Sequence, residues 1–290
     1  MLNRLFGDYL TKKGILSKSE VNGILPVAPE AKASVEVIAI IQKVLTVSQV
    51  TGVLSQIDKK KTRFGDAAVQ KGMLTEDRLD QILTYQNNSF MVFVQVLIDR
   101  GIIRYEQIPQ LIDDFQRDGQ YKDNQFAALL NDDLEQIVSI FVPLKNPYLK
   151  VLTVLLVKTF RRLIDKDMYL ERAYTAKSIQ LDSYAAQLVT GDIHYKLYLS
   201  GFTNNLLGIS NYFTGATYTA VNTDALDNVS EFINCVNGQF ATNVSYDDVE
   251  VDMSSPEYGL EGPYISNSKL FIIPIHVNGF EIRAVYEVLD

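Results

Sequence analysis

Asp227, Glu231, Asn234 and Gly238 recur at intervals of four, three and four residues. On a helix turning about 100° per residue they share one face, within about one sixth of the circle. That face carries two carboxylates, a carboxamide and a glycine. The carboxylates accept hydrogen bonds, while the carboxamide both donates and accepts without a charge. A polar helix face is most often a solvated exterior. This one holds no Lys or Arg, so it lacks the ion pairs that usually lace an exposed helix. Gly238 weakens a helix by about 1 kcal/mol relative to alanine, yet leaves room for another backbone to approach.

The opposite face of the same stretch must hold the polar one in place. Leu226, Val229, Phe232, Ile233, Val236 and Phe240 form an apolar stripe at helical spacing. The stretch from Asp224 to Phe240 is therefore read as a helix buried along its back. Asp224 is read as its N-cap, with Asp227 three residues on, where negative charge suits the helix dipole. Cys235 points to the flank and is read as a half-buried small residue, not a nucleophile. His194 and His276 are the two histidines, both in strand-like runs, and no zinc-type spacing is found.

Composition narrows the classes. The 290 residues suggest two domains. Hydrophobic content of 47% and charged content of 21% are ordinary for a soluble globular protein. A net charge of −8 and a pI near 4.9 argue against nucleic acid as the partner. The basic runs Lys59–Lys61 and Arg161–Arg162 are short and read as solvated ends of elements. One cysteine rules out an internal disulfide and fits a reducing compartment. The N-terminus has no signal-peptide pattern. The longest apolar run, Val151–Val157, is too short to span a bilayer. A cytoplasmic location is expected, with no membrane insertion.

Residues 1–117 repeat every 29 residues, with Gly14, Lys43, Gly72 and Gly101 in register. The apolar pairs Ile15–Leu16, Val44–Leu45, Met73–Leu74 and Ile102–Ile103 follow them. Leu10, Ala39, Ala68 and Leu97 align ahead, and Val21, Val50, Leu79 and Ile108 align behind. Each copy reads as helix, tight turn, helix, with the glycine at a C′ position of positive φ. Ser17 with Glu20, and Thr46 with Gln49, read as capping boxes. The result is an all-α array of four helical hairpins.

Residues 118–145 read as a linker and connecting helix, closed by Asn146–Pro147. A helix over Tyr148–Ile164 follows. Beyond it the periodicity changes to two. Glu171–Ile179 and Ala185–Leu199, the latter interrupted at Gly191–Asp192, read as strands. A short helix over Leu206–Phe213, the Asp224 helix, and strands over Val249–Met253, Lys269–Val277 and Phe280–Leu289 complete the chain. Asn278–Gly279 is a hairpin signal. Residues 146–290 are thus expected to form an α+β domain with a mostly antiparallel sheet.

Two resemblances attach to these halves. In the third repeat, Arg63-Phe64-Gly65-Asp66-Ala67-Ala68-Val69-Gln70-Lys71-Gly72-Met73-Leu74, running on to Leu79, Leu83 and Gln86, resembles the repeated motif of the MshEN-type N-terminal domain of type II secretion ATPases. Some members bind cyclic di-GMP, and the resemblance implies Arg63, Gly65 and Gln86 as contacts. The other copies depart from it, with Leu5 and Ala28, with Glu36, and with Val92, Val94 and Phe115 at the corresponding places.

The element order of the second half, with Asp227, Glu231 and Asn234 on its central helix, resembles the CheC/CheX/FliY family of chemotaxis phosphatases. The family motif ends in a proline, and Pro256 stands one residue short of that spacing. The strand text GDIHYKLYLSG also resembles the family hairpin. The Tyr148–Ile164 helix carries no second motif, so the single-site CheX type is the better match. The resemblance implies an α+β CheX-like fold. It also implies dephosphorylation of the aspartyl phosphate of a CheY-like receiver domain. Asn234 would place the attacking water and Glu231 would pair with a receiver lysine, with Asp227, Gly238 and Pro256 in support. It implies no cofactor of the chain's own, since the Mg²⁺ would sit on the receiver, and by analogy a homodimer. In this reading the repeats localise or sense. The second reading is a non-catalytic adaptor binding a receiver, cyclic di-GMP, or a secretion or pilus component.

Overall fold

The computed structural model describes residues 1–25, 31–57, 62–202 and 204–289. Two compact units divide the chain, Leu2–Asp132 and Asp133–Asp290. Ala28 and the run Lys59–Lys61 lie outside the described residues.

The first unit opens with four helical hairpins. They are α1 (Leu2–Lys12) with α2 (Lys18–Ile24), α3 (Val35–Ile41) with α4 (Val47–Leu54), α5 (Phe64–Gln70) with α6 (Glu76–Leu83), and α7 (Ser89–Asp99) with α8 (Ile108–Asp118). Their turns are built alike. Gly14, Lys43, Gly72 and Gly101 take φ of 71°, 56°, 66° and 68°. One carbonyl ahead of each turn accepts two amides. Leu10 serves Ile15 and Leu16, Ala39 serves Val44 and Leu45, Ala68 serves Met73 and Leu74, and Leu97 serves Ile102 and Ile103. The aligned column ahead of the turn is thus the acceptor column that caps each first helix. Lys43 adopts the left-handed conformation without glycine, at a strain of about 1 kcal/mol.

Both expected capping boxes form, Ser17 with Glu20 and Thr46 with Gln49. The hydrogen bonds from Ser17 hold the Glu20 carboxyl below its usual range. An aromatic cluster joins the first and last hairpins. Phe6 meets Phe90 and Phe115 edge-on, each at 5.3 Å. Phe126 of α9 (Asp123–Leu130) packs on Phe90. The stretch 118–145 holds α9 and α10 (Leu134–Phe141), and the units part between these helices.

In the second unit, α11 (Pro147–Leu163) starts where Asn146 accepts from the Tyr148 and Leu149 amides, with Pro147 in its first turn. The strands are β1 (Tyr169–Leu170), β2 (Tyr174–Gln180), β3 (Ser183–Gly191) and β4 (Tyr195–Gly201). Helices α12 (Leu207–Thr214) and α13 (Thr223–Val244) follow. Then come β5 (Val251–Met253), β6 (Glu257–Gly259), β7 (Tyr264–Val277) and β8 (Phe280–Val288). The sheet runs β1-β7-β8-β4-β3-β5, with β2 also on β7 and β6 also on β3. All these pairings are antiparallel. The fold class is α+β.

Four strands stand on each side of the helix pair, where the sequence pattern gave two and three. One of the three surplus strands arises because the expected Ala185–Leu199 strand divides into β3 and β4 at its Gly191–Asp192 interruption. The other two, β1 and β6, are two and three residues long, too short to show alternation. His194 precedes β4 in the hairpin turn and is not in a strand. Asn278 and Gly279 take φ of 49° and 83°, as a two-residue β7–β8 hairpin requires.

Helix α13 is anchored along the length of its apolar face. Leu226, Val229, Phe232, Ile233, Val236 and Phe240 are all 0% exposed. Phe232 lies 4.7 Å from Phe160 of α11 and edge-on to Phe213 of α12. Phe240 meets Tyr195 of β4 edge-on at 5.8 Å. Burying one such ring contributes about 2–3 kcal/mol. Among the described residues no helix is long and apolar enough to cross a membrane.

Candidate functional site

The N-cap of α13 is Asn222, not Asp224. The Asn222 carboxamide oxygen accepts from the Ala225 amide at 2.8 Å, and Asp224 falls in the first turn. Either residue can cap, and spacing alone did not separate them. The helix also runs on to Val244, one turn beyond the expected end.

The polar face stands as the spacing required. Asp227 and Glu231 are exposed, and Asn234 and Gly238 are half-buried. The Asp227 and Glu231 carboxylates have no hydrogen-bond or ion-pair partner among the described residues. A Cβ built on Gly238 meets nothing within 4 Å. Among the described residues no backbone uses the room Gly238 leaves, so the helix face is open at that position. Cys235 is half-buried, and its sulfur accepts from Gln239 Nε2 at 3.4 Å.

Asn234 differs from its neighbours on the face because it is held. Its Oδ1 accepts from Gln187 Nε2 of β3 at 2.8 Å. The same nitrogen donates to the Ser254 carbonyl at 2.8 Å. Gln187 Oε1 accepts from Asn237 Nδ2 at 2.8 Å, and Asn237 Oδ1 accepts from the Tyr195 hydroxyl at 3.0 Å. Gln187 is 1% exposed, and Asn237 and Tyr195 are 0%. Burial raises the Tyr195 hydroxyl far above its ordinary pKa, with Tyr286 adding to the effect, so it remains a donor. Ser254 is two residues before Pro256, in the connection between β5 and β6 that runs along β3. The segment carrying Pro256 thus comes within one side chain of Asn234.

Sequence reasoning missed Gln187, Asn237 and Tyr195. Asn237 left a trace. It follows Ile233 by four and precedes Phe240 by three, so it interrupts the buried stripe with a carboxamide. Gln187 left another, since it lies between Ala185 and Val189 on the inward side of β3. A buried carboxamide needs partners, and two facing each other suggest a pair.

In the first unit, Arg63, Gly65 and Gln86 line one cavity of about 530 Å³ with Glu36 and Asp66. Among its described lining residues two carboxylates stand against one guanidinium, a balance that does not favour phosphate. Gly65 has a packing role there. A Cβ on it would lie 2.7 Å from Leu79 of α6, and one on Gly7 would lie 2.7 Å from Val21 of α2. Gly7 and Gly65 occupy the same place in their repeats, where each first helix crosses its second. Gln86 is tied to Ala33, whose amide donates to the Gln86 carbonyl at 2.9 Å and whose carbonyl accepts from Gln86 Nε2 at 3.5 Å. Among the described residues no group of three or more His, Cys, Asp or Glu could hold a metal.

Several solved structures resemble the second half of the chain. A chemotaxis protein CheX from Desulfovibrio desulfuricans is 17% identical, with a TM-score of 0.43, covering 50% of this chain and 100% of that one. A CheC-like superfamily protein from Shewanella sp. PV-4 is 16% identical, TM-score 0.43, covering 50% and 99%. A chain of the CheX–CheY–BeF₃–Mg²⁺ complex from Borrelia burgdorferi is 12% identical, TM-score 0.42, covering 49% and 96%. No family model and no curated protein matches the chain.

Proposed function

We propose that the second unit accelerates hydrolysis of the aspartyl phosphate of a CheY-like receiver domain, with the hairpin repeats as a localising or sensing module. One observation carries this reading: Glu231 and Asn234 lie one turn apart on an uncovered helix face, and Asn234 alone of the pair is fixed. An acyl phosphate is already reactive, so the demand on a phosphatase is to place water in line with the P–O bond. Gln187 occupies one lone pair of Asn234 Oδ1. The other lone pair accepts a hydrogen from the water, and the Nδ2 hydrogens are left for a phosphoryl oxygen. Water adds to phosphorus, the P–O bond to the receiver aspartate breaks, and the bond pair returns to that carboxylate. Both water protons leave with the phosphate, as dihydrogen phosphate. Glu231, without a partner among the described residues, pairs with a receiver lysine and fixes the pose. The divalent ion belongs to the receiver.

The test is the decay of a phosphorylated receiver with wild type and with Asn234→Ala. Wild type is expected to speed decay, and the variant to lose about 100-fold of that acceleration. Binding to the phosphorylated receiver without acceleration assigns the adaptor reading instead. Absence of both overturns the proposal for that receiver.

A further inference from the structure

A backbone carbonyl can only accept a hydrogen bond, and this fixes a chain of otherwise ambiguous amides. The Gln187 side-chain atom that faces the Ser254 carbonyl must be nitrogen. That same atom faces Asn234, so the Asn234 atom it meets must be oxygen. The other end of the Gln187 amide is then oxygen, so the Asn237 atom that meets it must be nitrogen. Asn237 therefore turns its own oxygen to Tyr195, whose hydroxyl donates. No member of this chain can flip alone without setting two acceptors or two donors against each other, and Gln187, Asn237 and Tyr195 are closed to water that could take up the mismatch.

We propose that Gln187 is the positioning residue of Asn234, and that the Ser254 carbonyl, acting through it, sets which atom of the Asn234 carboxamide faces solvent. As a role in phosphoryl chemistry this rests on the phosphatase reading, whereas the fixed orientation of Asn234 does not. The assignment gives Gln187 a task that packing does not supply. An apolar side chain of similar length would fill the same place beside β3, but would leave the Asn234 amide free to rotate. It also explains a buried Asn237 in the middle of an apolar helix back: its Nδ2 donates to the Gln187 carboxamide oxygen and holds that amide in place.

The experiment has two arms, both on the full chain. In the first, decay of a phosphorylated receiver is followed at several concentrations of wild type and of Gln187→Met. The expected result is a fall in kcat of about ten- to 100-fold, with KM within about twofold. A proportionate loss in which the remaining folded fraction keeps wild-type kcat would show a structural role and overturn the proposal. In the second, the side-chain amide of Asn234 is read by ¹⁵N NMR, its signal assigned by its absence in Asn234→Ala. In wild type it is expected to be ordered, with two resolved protons, while the exposed Asn243 is averaged. In Gln187→Met the Asn234 signal should join Asn243. An Asn234 amide as mobile as Asn243 in wild type overturns the inference, and this result does not depend on Gln187→Met folding. If wild type does not speed receiver decay, the phosphatase reading falls, and the NMR arm still decides whether Gln187 holds Asn234.

Discussion

The two units close their structures over different distances. In the first, each hairpin turn is sealed within five or six residues, as when Leu10 accepts from Ile15 and Leu16, and the same closure returns at Ala39, Ala68 and Leu97. In the second, the hydrogen bonds around Asn234 join residues 42 to 67 positions apart. Local closure makes a pattern that copies itself and leaves polar groups to water. Remote closure makes one buried network and one polar face that differs from every other. Glycine shows the same division. Gly7 and Gly65 are required where helices cross, whereas Gly238 has empty space beside it.

The sharpest way to separate the units is to damage the anchor of α13. Phe232→Ala removes a ring that is 0% exposed and packed on Phe160 and Phe213. It should cost about 3–5 kcal/mol, read as a lower urea midpoint for loss of sheet signal. Gly7→Ala tests the first unit by overfilling it. The added methyl meets Val21, which is buried and β-branched and so cannot swing away, and the expected cost is about 1–3 kcal/mol. Gly65→Ala should cost less, because Leu79 is half-buried and flexible. Gly238→Ala should instead stabilise by about 0.5–1 kcal/mol in the same titration, since helix propensity improves and nothing is displaced.

A pH series sharpens the contrast further. Burial holds Tyr195 and Tyr286 protonated well above the ordinary tyrosine value of 10.0. A pKa raised in the folded state contributes stability that is complete below the unfolded value and is lost as pH rises past it. The second unit should therefore weaken above pH 10. The slope of stability against pH should be shallower in Tyr195→Phe, measured by urea unfolding between pH 9 and 11.

Much of the first unit was legible because its structure is written locally. The 29-residue register placed all four turns, and the two capping boxes were visible as Ser17–Glu20 and Thr46–Gln49. Gly65 was legible as part of a motif, but neither it nor Gly7 was legible as a close helix crossing, which needs the partner side chains Leu79 and Val21. In the second unit, amphipathic spacing placed the buried back and polar front of α13, and Asn278–Gly279 placed the last hairpin. The strands β1 and β6 escaped because pairing with β7 and β3, not alternation, defines them. Gln187 escaped for a related reason. A glutamine in a strand says nothing of its partners until the chain brings Asn234, Asn237 and Ser254 to it.

That distance has a consequence for how the site comes into being. Closing each loop between Tyr195, Asn237, Gln187, Asn234 and Ser254 costs chain entropy before any of the hydrogen bonds offsets it. The β7–β8 hairpin, closed by two residues, forms on the microsecond scale of local elements. The amide chain must wait for β3, α13 and the β5–β6 connection to meet. Orientation of Asn234 is therefore among the last properties the unit acquires, and partial unfolding that separates any one of those three segments erases it.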